Sequence, residues 1–511
     1  MNSEEIVQRL WNLCDVLRDD GVSYSDYVTE LVWLLFMKME QENTAAGIRT
    51  KHALPAGCRW SDLSADTAGG LVKNYQKILT NLGKVNDPLL RAIYRDARTH
   101  IKHDNHLLQL IKEFNSTAWF SDNTDGLGDI YEGLLEKNAN DTKSGAGQYF
   151  TPRPLIDSII RVVKPQPGET IQDPAAGTGG FLIAADRYIR AKTANLTLLS
   201  PAQRAFQRKR ALVGMELVPN TRRLALMNCV LHDIDGDEGG VIMLGNALGV
   251  EGEGLPNADL MLSNPPFGTA KGGGGPTRTD LPFKTPNKQL AFLQHIYLKL
   301  KPDGRAAVIV PDNVLFESGI GKEIRRDLMQ KCNLHTILRL PPGIFYAPGV
   351  KTNVLFFSKR TAKPANANKN KTHGVWIYDM RSNMPSFGKR TRFQDEILRD
   401  FETAFGDDPY GGSKREDGGP KGRFRLFSRE FIANEKDDSL DITWLKDESQ
   451  VDAHGLEPHV LAARAMGEIA EALRELNQIM HKLGAGEEAS VQLDLLADAL
   501  RLPMPEANDR K

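Results

Sequence analysis

Cysteine is scarce in this chain of 511 residues: Cys14, Cys58, Cys229 and Cys332 stand far apart, with no Cys-x-x-Cys pair. That spacing excludes a disulfide framework and a cysteine zinc site, no other metal site is expected, and a reducing cytoplasm follows. Long apolar runs are missing too. The best stretch, Tyr27 to Met39, is interrupted by Glu30 and Lys38 and falls short of the roughly 18 uncharged residues of a membrane span. The opening Met1-Asn2-Ser3-Glu4-Glu5 has neither the basic nor the apolar region of a secretory signal. Net charge is absent as well, 65 basic side chains facing 66 acidic ones. A protein that held duplex DNA alone would usually carry a basic excess, because neutralising phosphates supplies most non-specific affinity. Any grip on DNA is therefore local, or belongs to a partner.

The length suggests about three domains. Residues 1–144 read as an all-helical N-terminal domain. Glu5–Leu17, Tyr27–Glu42, Gly70–Leu82, Leu89–Ala97, Leu107–Phe114 and Gly126–Lys137 carry apolar side chains at helical spacing. From 145 to 400, strands alternate with helices, the pattern of a parallel α/β sheet. Seven strands are expected, at Thr170–Gln172, Ala211–Met215, Val241–Leu244, Leu260–Ser263, Ala306–Val310, Thr336–Leu340 and Asn353–Ser358, with a short extension at Val375–Tyr378. Helices are expected at Phe181–Ala191, Thr221–His232, Lys288–Leu300 and Glu323–Cys332, and loops at Gly268–Asn287 and Thr361–His373. Residues 401–457 read as linker, since Gly, Asp and Pro crowd its first half. Residues 458–511 read as a helical tail in which Ala462, Met466, Ile469, Leu473, Leu476, Met480 and Leu483 alternate by four and three. That seam suits a coiled-coil contact with another chain; a hairpin with Val491–Leu500 is the intramolecular alternative.

The chemistry concentrates where strands end. Asn264-Pro265-Pro266-Phe267 follows the fourth strand. The Asn264 side-chain oxygen and the Pro265 carbonyl can accept both N–H bonds of an aromatic amine, two prolines stiffen the turn, and Phe267 offers a stacking face. A rigid strand-ending turn is the plainer reading of the same four residues. Asp173 precedes a glycine-rich turn in which Thr178, Gly179 and Gly180 let a ligand approach the backbone. The G-x-G-x-x-G spacing of a pyrophosphate cradle is absent, and an acidic residue there suits an ammonium group better than a phosphate. Glu216 ends the second strand, where a carboxylate can take both ribose hydroxyls of a nucleoside, and Asn246 follows the third, within reach of its adenine. Before the sheet, Thr151 can cap a helix whose first residue is Pro152. Gln148, Tyr149, Phe150 and Arg153 flank that helix start, which can close over a carboxylate. Together these residues point to S-adenosylmethionine beside an everted base.

The runs GQYFTPRPLI, DPAAGTGGFL, MELVPNTRRLALMN, NPPFG, GRAAVIVPDNVLF and GIFYAPGVKTNVLFF, spread over most of the chain, resemble the methylation (M) subunit of type I restriction–modification systems. The resemblance implies an N6-adenine DNA methyltransferase. Its fold would be α/β: a seven-stranded, Rossmann-like S-adenosylmethionine-dependent core, flanked by a helical N-terminal domain and a helical tail. It implies cofactor contact by Gln148–Arg153, Thr178–Gly180 and Glu216, and catalysis by Asn264–Phe267. It also implies double-stranded DNA as substrate, and as partners a specificity subunit, a second copy of the M subunit and a restriction subunit.

Three other readings stay open from the residues. The same tetrapeptide chemistry serves N4 of cytosine. A related motif acts on glutamine amides in proteins, although the long helical flanks argue against it. A non-enzymatic assembly subunit that senses the cofactor is the third, and intact Asp173, Glu216 and Asn264 weigh against it.

Overall fold

The computed structural model describes residues 3–13, 24–45, 54–64, 70–116, 126–141, 151–234, 236–237, 239–268, 276–345, 351–359, 371–385, 387 and 391–445. All of them lie within one compact unit, Met1–Leu445. The tail seam at 462–483 and the segment Val491–Leu500 fall outside the described residues.

The N-terminal region holds helices α1 (Ser3–Asn12), α2 (Tyr24–Ala45), α3 (Trp60–Ser64), α4 (Leu71–Leu82), α5 (Pro88–Tyr94), α6 (Asp104–Ser116) and α7 (Gly126–Asp141). Local chemistry sets their ends. Asp87 caps α5 through the Leu90 amide, ahead of Pro88 at the first helical position. Gly70 has no side chain to cap α4, so Asp104 does so from across the bundle, accepting from Gly70 N and Val72 N over 2.8 and 2.9 Å. The buried faces of these helices do not close on themselves. They form one core with α8 (Arg153–Val163), α9 (Gly180–Lys192) and one face of the sheet.

The sheet is mixed and nine-stranded: β1 (Ile171–Asp173), β2 (Leu212–Glu216), β3 (Ile242–Leu244), β4 (Ala258–Ser263), β5 (Leu300–Pro311), β6 (Asn333–Arg339), β7 (Thr352–Ser358), β8 (Gly374–Asp379) and β9 (Phe424–Ser428), in the order β3-β2-β1-β4-β5-β7-β6-β8-β9. β1 to β5 run parallel, joined in part by α9 and α11 (Pro219–Leu231), with an additional helix, α10 (Pro201–Lys209), that the sequence pattern did not suggest. Alternate residues of one strand reach opposite cores. Leu260 and Leu262 face the N-terminal side, whereas Met261 packs with α12 (Lys288–Lys299) and α13 (Ile320–Lys331). Both faces are thus covered, which is why these strands read as nearly continuous apolar runs.

Two expectations need correction. A seven-stranded parallel sheet underestimates the strand count and misses that β7 runs antiparallel to both β5 and β6. No helix separates β6 from β7 among the described residues, so the chain returns beside β6 in the opposite sense. Of the stretch 401–457, read as linker or irregular, the described residues 401–445 instead contribute most of α14 (Arg399–Phe405) and β9, which pairs antiparallel with β8. Its glycines and aspartates make ordered turns: Asp408 accepts from the Tyr410 and Gly412 amides, and Gly406 adopts φ 83°. Phe401 and Phe405 are fully buried, and Arg161 ties Asp395 and Glu402 to α8.

α8 is held rigidly against the sheet. Buried Arg305 of β5 forks onto both oxygens of Glu169 at 2.7 and 2.9 Å, and its Nε donates to Val163 O at the end of α8. The start of α8 is thereby fixed relative to the carboxyl ends of β1 and β4.

Candidate active site

At the carboxyl end of β1, Asp173 is buried, and its Oδ1 accepts from the Ala175 amide at 3.0 Å and the Ser263 hydroxyl at 2.8 Å. Burial pushes its carboxyl up to about 7, the two hydrogen bonds oppose that rise, and the nearby Glu216 carboxylate adds to it. Gly177 and Gly179 in the following turn take φ 55° and 86°, a conformation only glycine adopts freely, and α9 begins at Gly180. The carbonyl of Thr178 in the same turn accepts from Asn228 Nδ2. Glu216, ending β2, faces the same turn. Its two oxygens accept from the Gly177 and Val218 amides at 3.0 and 2.9 Å, and burial raises its carboxyl above the usual range. Two carboxylates at neighbouring strand ends, one poised near neutrality, favour a ligand that carries positive charge.

Asn264 lies just beyond β4 and is buried. Its Nδ2 donates to Thr151 Oγ1 at 3.0 Å, while its Oδ1 is buried without a hydrogen-bond partner. An orphaned buried acceptor costs about 1–3 kcal/mol, and such an atom at a strand end awaits a donor. Thr151 therefore does not cap α8 as the sequence suggested. The cap position is Pro152, with no side-chain bond, and α8 starts at Arg153. The hydroxyl serves the carboxamide instead, because Pro152 leaves fewer amide donors for it to cap.

Phe267, half-buried beyond Pro266, meets buried Phe345 edge to face, centroids 6.3 Å apart at 69°. Asn246 is exposed after β3, its Oδ1 engaged by the Leu248 amide at 3.0 Å and its Nδ2 left to donate. The far end of the loop after Phe267 is anchored by buried Arg278, which donates to Ala247 O at 2.8 Å and contacts His295 and Asp280. Burial and the adjacent guanidinium hold His295 down to about 3, so it is a neutral core group. Among the described residues, no cluster of side chains is suited to hold a metal ion, and no helix is long and apolar enough to cross a membrane.

The family described as N-6 DNA Methylase matches residues 122–427, well over half the chain. An HsdM N-terminal domain matches residues 6–114, and the C-terminal domain of type I restriction enzyme methylases matches 457–498. The chain belongs to the type I methylase subunits. It is 52% identical over 529 aligned positions to the StySPI methylase subunit of Salmonella potsdam, covering 98% of this chain and 99% of the relative. Identity to the EcoKI methylase subunit of Escherichia coli K12 is also 52%, with the same coverage. The crystal structure of the EcoKI M protein matches with TM-score 0.56 at 48% identity, over 97% of this chain and 99% of that one. A chain from a type I R–M system solved for its complex assembly and conformational transition matches with TM-score 0.67 at 25% identity, over 96% and 99%. The methylase subunit is accordingly an adenine-specific DNA methyltransferase.

Of the residues singled out in the sequence, the structure places Asp173, Thr178, Gly179, Gly180, Glu216, Asn246, Asn264, Pro265, Pro266 and Phe267 at or just past the ends of the adjacent strands β1 to β4, with Thr151 and Pro152 beside them. Gln148, Tyr149 and Phe150 lie outside the described residues. Arg153 of the methylase subunit pairs with Glu132 of α7 at 3.1 Å, so its charge is engaged by the helical region. Sequence reasoning missed Ser263, whose hydroxyl joins β4 to Asp173, and Phe345. Both were visible as a polar residue ending an apolar strand and as an aromatic within GIFY.

Proposed function

We propose that the subunit binds S-adenosylmethionine over the ends of β1 and β2 and methylates N6 of an adenine everted from a specific DNA sequence. Asp173 holds the ligand's ammonium, Glu216 its ribose hydroxyls, and exposed Leu217, next in the chain, offers an apolar face to its purine. Thr178, Gly179 and Gly180 let it lie close to the backbone, and Asn246 Nδ2 is placed to donate to its ring. Thr151, Pro152 and Arg153 border its carboxylate, and the family resemblance adds Gln148, Tyr149 and Phe150, which lie outside the described residues, as further contacts. When bound, it supplies an electrophilic methyl group on a sulfonium centre.

The observation that carries this reading is the buried, unpartnered Oδ1 of Asn264. An adenine amine entering the pocket donates to that oxygen and to the Pro265 carbonyl. Its lone pair is then drawn out of conjugation with the ring and becomes the nucleophile. Phe267, backed by Phe345, stacks on the everted base, whose unstacking costs a few kcal/mol. Pro265 and Pro266 keep both acceptors in place, so alignment in a shaped, water-poor pocket supplies most of the rate.

In this reading the methylase subunit works in an assembly with a specificity subunit, a second copy of itself and a restriction subunit, and its product protects host DNA from the cognate cleavage. Residues 458–511 make the contact with the specificity subunit. The neutral charge balance fits base recognition delegated to another chain. The test is labelled methyl transfer from S-adenosylmethionine to duplex DNA by the co-expressed assembly, with product nucleosides resolved by mass spectrometry. N6-methyladenine at one sequence, formed only with the specificity subunit present, supports the reading. No incorporation, or N4-methylcytosine, overturns it.

A further inference from the structure

A groove of about 380 Å³ runs between α5 and α11, floored by Leu244 at the end of β3, and Arg91, Arg95, Arg222 and Arg223 line it. These arginines, like Arg325 and Arg423, lack among the described residues the carboxylate partner that several others in the fold have. Arg153, Arg161, Arg305 and Arg381 each pair with a carboxylate. Among the described residues, no carboxylate lies within ion-pair distance of the four in the groove; Asp96 acts on Arg223 only from further away. They donate to neutral groups instead: Arg91 to the Val85 and Asn86 carbonyls, Arg222 to those of Ile242 and Gly239, and Arg223 to that of Arg95 and to the Asn220 side chain. The Arg223 Nε is buried with no hydrogen-bond partner, while its guanidinium lies 5.6 Å over the Trp33 ring.

Their placement is also electrostatically costly. Arg222 and Arg223 are the fourth and fifth residues of the 13-residue α11, whose N-cap Val218 provides no side-chain bond. Burial holds both guanidinium groups below their ordinary range. Arg95 adds a like charge near Arg222. Crowded guanidinium groups that line one groove suit a polyanion, and the acidic group beside it is the Glu216 carboxylate at the start of α11.

We propose that this groove holds the sugar–phosphate backbone of the DNA being methylated, an inference that rests on the function proposed above. From β3 to β4, where Asn264 sits, is three strand spacings in the order β3-β2-β1-β4. That is roughly 14 Å, or about four phosphates along one strand. A duplex with its target base at Asn264 therefore passes within reach. A chain with no net positive charge needs such a local grip, and forked guanidinium groups match phosphate oxygens two at a time.

The test uses the full chain assembled with its specificity subunit, carrying Arg91→Glu with Arg95→Glu, both exposed, one on α5 and one at its C-cap. Binding of a duplex lacking the recognition sequence is followed against salt. The double variant is expected to lower the salt slope by about two, near 0.9 per lost phosphate contact. It should weaken cognate and non-cognate duplexes alike and leave S-adenosylhomocysteine binding unchanged, while the double lysine variant keeps most of the slope. An unchanged slope overturns the proposal. So does loss of subunit assembly with DNA affinity retained, which would make the groove a docking surface for an acidic protein. Neither result touches methyl transfer by the wild-type assembly, so the two proposals fail separately.

Discussion

The Asn264 carboxamide donates through Nδ2 to the Thr151 hydroxyl at 3.0 Å, which leaves its buried Oδ1 as the atom without a partner. The bond joins the residue just beyond β4 to the chain entering α8, and so links the group proposed to grip the base to the segment proposed to border the ligand carboxylate. A side chain whose amide nitrogen is held in place cannot flip to present a donor where an acceptor is required. Thr151→Val keeps the shape and removes the acceptor. It should slow methyl transfer at saturating S-adenosylmethionine by about tenfold or more, the loss of roughly one hydrogen bond of 1.4 kcal/mol. Thr151→Ser should restore most of the rate. If Thr151→Val raised only the KM for S-adenosylmethionine, with kcat unchanged, the hydroxyl would serve the ligand alone.

In the proposed function, Asp173 gives the cofactor site a pH dependence. Burial pushes its carboxyl from 3.8 up to about 7, and the proposed ammonium ligand binds the ionised form. Binding of S-adenosylhomocysteine should therefore weaken as pH falls below about 7, approaching tenfold per pH unit, with protons released on binding. The same shift favours the protonated folded state: its stabilising contribution is complete below 3.8 and is lost as pH rises through about 7. Calorimetry at about pH 6 and about pH 8 checks the binding. Equal affinity at both would contradict the assignment, as would Asp173→Asn retaining the wild-type dependence.

Phe267 is backed edge to face by Phe345. Phe267→Ala should weaken capture of the everted base by about 1–3 kcal/mol, the usual value of one base–aromatic stack, and Phe267→Tyr should not. A 2-aminopurine placed at the target position reports eversion by its fluorescence. An alanine variant that everted it as fully as wild type would remove the stacking role.

Phe405 belongs to the core. It is fully buried and packs on Phe356, centroids 5.2 Å apart, with Arg415 over its ring. Phe405→Ala should lower stability by about 3–5 kcal/mol, read from denaturant unfolding. A dispensable linker would show almost no change.

The carboxyl-end constellation was legible in the sequence because its signals are local. A carboxylate, a glycine turn or Asn-Pro-Pro-Phe directly after an apolar run fixes both the strand end and the group it presents. The first eight strands were readable for the same reason, since each is a short apolar run bounded by turns. What escaped depends on pairing between distant segments. The reversed sense of β7 has no sequence period of its own. β9 lies among glycines and aspartates whose ordered turns have the composition of a linker. The partner of Thr151 was hidden likewise: a threonine before proline reads as a cap, and only the approach of two distant segments hands its hydroxyl to Asn264.

Asn264 is the most direct point of attack. The measurement is single-turnover transfer of labelled methyl to cognate duplex by the Asn264→Ala assembly at saturating S-adenosylmethionine, with cofactor affinity determined in parallel. The expected result is a rate about 10²–10³ lower, the usual cost of one lost transition-state hydrogen-bonding group, with cofactor affinity unchanged. Transfer at the wild-type rate would contradict the account.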